Sequence, residues 1–361
     1  MNQLTSFVDE VATESHLRVE ADLGDGFVRL RTEEAERRQA AHDIRTNEDM
    51  VLELLRNSRD AHARNIFLAF SKSEDERTVI VIDDGDGIPE RLHERIFEPR
   101  VTSKLDSVHM DKWGIHGRGM ALFAVKTNAE EARVCCSAPG KGCSLYARTR
   151  SDQVQERKDQ STFPSFLLKE QGKVSIKGPR NILRTACEFA LEHKDTISLY
   201  VGSPSQIAAT LYEIGCGTIS AVERAFGESL QESLVTKKLA FCCDCQEFAD
   251  TAAQLGLSMS ERSARRIMDG EVKPVPEIKE LITLVDQRQK TQSNQAKTRG
   301  RKSPSAIRFA SDDLSHFKDR VEHAFVDLAD AYYLDPHPHI VVQNRGDALH
   351  ISIPLVPDPE N

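Results

Sequence analysis

The chain has 361 residues, 39% of them apolar, 29% charged and 6% aromatic, with a formal net charge of −9 at pH 7. At roughly 150 residues per domain that length predicts two or three domains. The composition excludes a disordered tail or a collagen-like chain, and the acidic balance argues against uniform coating of nucleic acid while leaving room for a local basic patch.

No apolar run approaches the ~18 residues a membrane helix needs, and Met1-Asn2-Gln3-Leu4 does not begin a secretory signal. The eight cysteines include the adjacent pairs Cys135-Cys136 and Cys242-Cys243, with Cys187 and Cys216 standing alone. That is no disulfide framework, so the expectation is a cytoplasmic protein with reduced thiols and no membrane contact.

In chain order, residues 1–47 are polar and charged and read as an N-terminal helical extension, with a helix-biased run from Glu33 to Ala41. Val51 to Ala63 has helical spacing, and Thr78 to Ile82 is a β-branched run that reads as a buried strand. Gly117 to Lys126 reads as a helix entered through glycines. Ala132–Ser137 and Cys143–Arg148 flank Pro139-Gly140-Lys141-Gly142, a hairpin signal. Residues 48–150 therefore form one domain of helices and sheet.

A middle α/β region follows at 165–241, with strands at Val174–Ile176 and Ile197–Val201 and helices at Asn181–Glu192 and Ser205–Ile214. Residues 242–285 read as helical. Residues 286–305 read as a basic linker, because Arg288 to Lys302 carries six basic residues and no acid. A helix from Leu314 to Tyr333 and a hairpin of His339–Gln343 and Ala348–Ile353 close the chain over 306–361, an element suited to dimerisation.

Three clusters in 48–150 carry chemistry. In Glu53-Leu-Leu-Arg-Asn57-Ser-Arg-Asp60-Ala61, spacings of four and three put Glu53, Asn57 and Asp60 on one helical face. Burying that stripe is costly unless a metal ion or phosphate compensates it; on its own it reads as a solvated face. Asp83-Asp84-Gly85-Asp86-Gly87-Ile88-Pro89 follows the strand directly. Its glycines allow positive φ and close approach of a ligand, and Asp83 can accept a hydrogen bond from the exocyclic amine of a base. Alone, this reads as a turn or a cation loop. Gly114-Ile-His-Gly117-Arg-Gly119-Met120-Ala121 precedes a helix whose free N–H groups suit a polyphosphate.

In this order the set resembles the GHKL or Bergerat-fold ATP-binding domain of gyrase-type topoisomerases, ninety-kilodalton heat-shock chaperones, sensor histidine kinases and MutL proteins. Glu53 to Ala61 is similar to the N box, Asp83 to Gly87 to the first glycine box and Gly114 to Gly119 to the second. Arg95-Ile-Phe-Glu-Pro-Arg-Val-Thr-Ser-Lys104 is similar to the segment between them. The resemblance implies a two-layer α/β sandwich over about 48–150, within a chain of α/β (α+β) class, with ATP and Mg²⁺ as cofactors.

It further implies that Asp83 binds the adenine amino group, that Asn57 coordinates Mg²⁺, and that the backbone around Gly117 to Gly119 holds the phosphates under a lid from about Phe97 to Trp113. Lys104, Arg118 or His116 would neutralise phosphate charge. The implied nucleotide-binding set is completed by Asp60, Gly85, Gly87, Ile88, Thr102, Gly114 and Met120.

Asp60 followed by Ala61 resembles the hydrolase branch, whereas sensor kinases usually place a second Asn four positions after the first. Glu53 lies one turn before Asn57, where a carboxylate can orient and deprotonate the attacking water. Slow ATP hydrolysis, coupled to lid closure and to dimerisation or docking, is the expectation. The alternatives are an ATP-dependent regulator without turnover, or a histidine or serine kinase. His42-Asp-Ile-Arg-Thr46 mimics a phosphoacceptor box but lies only about ten residues from the N box; the plain reading is a surface histidine.

Nothing in 165–241 declares the transducer domain of the hydrolases, although Lys173, Lys177, Lys237 and Lys238 are available. Phe248 to Gly270 reads as helix, turn, helix, with Arg262, Arg265 and Arg266 on or near the second helix, suited to DNA phosphates or base edges. An ordinary helical hairpin is the bland reading. With the basic stretch beyond, residues 248–302 are the candidate DNA contact, and a homodimer or protein partner the other expectation. Cys242 and Cys245 form one Cys-x2-Cys without a second pair, which favours plain thiols over zinc.

Overall fold

The computed structural model describes residues 19–32, 34–103, 109–111, 114–116, 119–168, 174–219, 233–281, 311–332, 334–335, 338–344 and 349–356. The chain divides into two units, 1–289 and 290–361.

The first unit is built on a five-stranded sheet of β3 (Asn65–Ser73), β4 (Glu76–Asp83), β8 (Glu131–Ser137), β9 (Cys143–Arg150) and β12 (Ser198–Gly202), in the order β12-β3-β4-β9-β8. Successive side chains of a strand point to opposite faces. Ile66, Leu68, Val79 and Val81 accordingly enter one core, and Phe67, Ala69, Ile80 and Ile82 enter another. The apolar run before Asp83 is thus continuous because β4 is buried on both faces.

On the first face lies α2 (Asn47–Asp60), which buries Met50, Val51, Leu54 and Leu55. It starts earlier than the apolar pattern alone suggests. Thr46 accepts from the Asp49 amide while the Asp49 carboxylate accepts from the Thr46 amide, a reciprocal cap that satisfies otherwise orphaned N–H groups. Two further helices share this core, α3 (Ala121–Asn128) and α4 (Ile182–Glu192). α3 begins four residues after Gly117, so the glycines precede the helix instead of opening it.

The other face is covered as well. α5 (Pro204–Thr218), a 3-10 segment (Val235–Phe241), α6 (Cys245–Gln254) and α7 (Glu261–Met268) pack there through Ile207, Leu211, Leu239, Phe248, Ala252, Ala264 and Ile267. Within 48–150 the helices α2 and α3 lie on one face, as expected of a two-layer sandwich; the cover on the other face comes from residues 204–268. Residues 165–241 do not stand apart either; they open with the antiparallel pair β10 (Ser165–Leu168) and β11 (Val174–Lys177). β12 runs parallel to β3, with Leu199 opposite Ile66, and Ile182 and Phe189 of α4 join the α2 core. The strand covers an edge of β3 that would otherwise present unpaired backbone groups.

The N-terminal stretch expected to be helical contains an antiparallel hairpin, β1 (Val19–Gly24) and β2 (Phe27–Leu30), before α1 (Glu34–Asp43). Gly24, Asp25 and Gly26 all take positive φ in its turn, a conformation glycine adopts freely. β2 also pairs with β5 (Val101–Thr102), so the hairpin is stitched to the first part of the stretch 97–113 expected to form a lid.

In the second unit α8 (Ser311–Tyr332) precedes β13 (Val341–Asn344), which pairs antiparallel with β14 (Leu349–Ser352). Phe325, Ala329 and Ile340 are buried. The expected basic linker at 286–305 lies outside the described residues. Among those described, no helix is long and apolar enough to cross a membrane.

Candidate functional site

The alternation that sends Val79 and Val81 toward α2 sends Asp83 the same way. Its carboxylate is 2% exposed. One oxygen accepts from the Ser58 hydroxyl at 2.6 Å and the other from the Gly85 amide at 2.9 Å. Ser58 belongs to the buried face of α2, so the helix and the strand end are joined at this acid.

The turn after Asp83 is held tightly. Asp84 accepts from the amides of Arg64 and Asn65, both at 2.8 Å. The Ile88 amide donates to the Ser137 hydroxyl at 2.8 Å, and that hydroxyl donates to the Gly142 carbonyl at the same distance. Gly87 has φ of 73°, and a Cβ there would collide with the Ala138 carbonyl. A Cβ on Gly85 would press on Ala61 at the end of α2. These two glycines let the loop pack against both neighbours; Gly85 does so without lining the cavity described next.

Glu53, Asn57, Asp60, Asp83, Gly87, Ile88, Thr102, Gly119 and Met120 all line one cavity of about 660 Å³. Glu53, half-buried on the cavity side of α2, is bonded to Arg56 Nη1 at 2.5 Å. Asp60 accepts from Arg59 at 2.8 Å. Gly119 has φ of 68° and approaches the backbone of Arg100 and the side chain of Thr102. Gly114 belongs to a short antiparallel pair of His109–Asp111 (β6) with Gly114–His116 (β7). Lys104, Gly117 and Arg118 lie outside the described residues, as does part of the expected lid.

Several lining residues carried no mark in the motif reading: Phe27, Glu36, Gln39, Asp43, Arg56, Arg100 and Cys143. Glu36, Ala40 and Asp43 stand at helical spacing on one face of α1, a pattern that could have flagged them once that helix was accepted. Cys143 is buried beside Asp83. Burial, and then the charge of that acid, push its thiol well above the ordinary value, so it stays neutral.

The lining suits an adenine nucleotide. Ile88, Ile96, Val101, Met120 and Leu122 provide apolar surface beside a buried acceptor, and Asn57 provides a neutral oxygen near several carboxylates. Among the described residues, no group of three or more His, Cys, Asp or Glu could hold a metal ion by itself.

Residues 42–153 match the model of the family described as histidine kinase-, DNA gyrase B-, and HSP90-like ATPase. The chain carries a GHKL ATPase domain. The match runs from the end of α1 to just past β9, so β12 and helices α4 to α7 lie beyond it. No curated protein matches the sequence. Domains of this family bind ATP, and the ATPase domain here gathers nine of its motif residues around one cavity.

Outside the ATPase match, α6 and α7 are separated by Leu255 to Ser260, with Gly256 at φ of 79°. Ala264 and Ile267 of α7 are buried, while Arg262, Arg265 and Arg266 are exposed. Arg265 lies 3.6 Å from Glu261 and Arg266 lies 2.9 Å from Glu271. Exposed pairs of this kind are weak and exchange readily with other anions. All eight cysteines are free; Cys242 is buried and its thiol is pushed up to about 11 by burial.

Proposed function

We propose that the ATPase domain binds Mg·ATP in the 660 Å³ cavity and hydrolyses it slowly, with Glu53 as the general base. The observation that carries this reading is the convergence of Asp83, Glu53 and Asn57 on one cavity from a strand end and one helix face. Asp83 would accept from the adenine amino group while keeping its bonds to Ser58 and Gly85. Ile88 and Met120 would flank the base, and Gly119, with Gly117 and Arg118 before it, would face the phosphates together with Thr102 and Lys104. Asp60 would bond with water around the phosphates. Magnesium, held by Asn57, would neutralise phosphate charge. Glu53 would take the proton of the attacking water.

Nucleotide binding would draw the lid over the cavity and bias the rest of the chain toward a dimer or a docked partner. The exposed arginines of α7 make DNA the favoured partner, with 248–302 as the contact. Arg265→Ala combined with Arg266→Ala is expected to weaken binding of duplex DNA and to flatten its salt dependence by about two ion equivalents. An unchanged affinity and salt slope would remove DNA from the account.

The bond between Arg56 and Glu53 favours a second reading, a regulatory ATP switch without turnover, because the guanidinium occupies a carboxylate oxygen that would otherwise face the attacking water. His42, exposed in the last turn of α1, would be the acceptor if the domain were a kinase. Incubation with γ-³²P-labelled ATP separates the three. Steady release of free phosphate is expected. Binding without release would favour the switch, and stable label on His42 would favour the kinase.

A further inference from the structure

Arg100 is the residue of the cavity wall whose placement is most tightly specified and least explained by the motifs. It takes φ of 58°, a conformation that a non-glycine residue enters only when its surroundings hold it there. Two backbone bonds do so. Its amide donates to the Gly119 carbonyl at 2.9 Å, and its carbonyl accepts from Leu30 at 3.0 Å. Its side chain is 5% exposed and is paired with Glu36 of α1, itself 31% exposed, and both residues line the cavity.

The described lining carries seven carboxylates and two guanidiniums. Arg56, one of the two, is bonded to Glu53 on the α2 side. Arg100 instead sits beside Gly119, at the end of the cavity where the backbone precedes α3 and free N–H groups favour phosphate. A guanidinium is always charged and suits bidentate contact with a phosphoryl group.

We propose that Arg100 determines specificity for ATP over ADP: it contacts the terminal phosphate, and Glu36 is the carboxylate it leaves to do so. This rests on the ATP-binding reading above. In the nucleotide-free state Glu36 occupies the guanidinium. The terminal phosphate of ATP displaces it, whereas ADP lacks the group that competes. The exchange frees α1, and the N-terminal segment with it, to respond to the nucleotide state.

The test is equilibrium titration of the full chain with Mg·ADP and with the magnesium complex of a hydrolysis-resistant ATP analogue. Arg100→Met is expected to weaken the ATP analogue by roughly 10–100-fold while ADP changes by less than about threefold. Glu36→Gln is expected to do the opposite, tightening the analogue severalfold and leaving ADP alone, because the competing charge is gone.

An Arg100 variant that loses both nucleotides equally overturns the proposal. So does a Glu36→Gln variant that leaves the analogue unchanged or weakens it, since the pair would then only hold α1 in place. If Arg100→Met fails to fold, Glu36→Gln decides alone. Wild-type protein that binds neither nucleotide defeats the ATP-binding reading itself, a result distinct from wild-type binding without the opposed signature.

Discussion

Glu53→Gln is expected to cut phosphate release from Mg·ATP by roughly 10²–10⁴-fold, the usual contribution of a positioned base, while nucleotide affinity stays within a few fold. Glu53 and Asn57 sit one turn apart on α2, so on the proposed reading a water beside phosphates bound near Asn57 would lie within reach of that carboxylate. Arg56 matters to the choice of variant. Its guanidinium is 5% exposed and bonded to Glu53, so truncation to alanine strips a partner from a buried charge. Glutamine keeps the amide oxygen for Arg56 and removes only the basicity. Glu53→Ala should lose turnover to the same extent but with some loss of stability, readable as a lower melting temperature. Steady-state phosphate release by Glu53→Gln at the wild-type rate would assign the base elsewhere.

Much of this site was legible in the sequence because its chemistry is local. The stripe Glu53, Asn57, Asp60 needs only a helix to share a face, and Asp83 needs only the period of a strand to point toward that helix. The turn glycines declared themselves in the same way, since φ at Gly87 and the approach of Ala138 leave no room for a side chain. What stayed hidden is non-local. Helical spacing puts Glu36, Ala40 and Asp43 on one face of α1, but that this face walls a cavity and not solvent depends on the pairing of β2 with β5, which brings α1 over the site. Arg100 owes its position to Leu30 and Gly119, partners far from it in the chain.

One missed signal was present all the same. Gly24-Asp25-Gly26, between the alternating residues Val19–Leu23 and the strand Phe27–Leu30, is hairpin punctuation. The unbroken apolar run of Val79 to Ile82 reads as a buried strand, and its second cover comes from helices beyond residue 150. The helices that provide the second cover, α6 and α7, were legible as an amphipathic pair. Their buried residues Phe248, Ala249, Ala252, Ala264 and Ile267 share one core with Phe67, Ala69, Ile80 and Ile82, while the arginines of α7 face outward.

Titration of Asp83→Asn with Mg·ATP, beside wild type, tests the central claim most directly. Both oxygens of Asp83 already accept hydrogen bonds, from Ser58 and from the Gly85 amide, and a carboxylate has lone pairs left for an adenine amino group. Asparagine offers one acceptor oxygen and two N–H donors in the same buried volume. Whichever way it turns, a donor meets the Gly85 amide, the Ser58 side or the base. The loss of one charge-assisted bond together with a misplaced buried donor corresponds to about 3–5 kcal/mol, or roughly 10²–10³-fold or more in affinity. The account predicts saturable wild-type binding and no measurable binding by a folded Asp83→Asn variant at concentrations that saturate wild type. Wild-type affinity in that variant would contradict it, because the nucleotide would then not lie against the carboxylate around which the cavity is built.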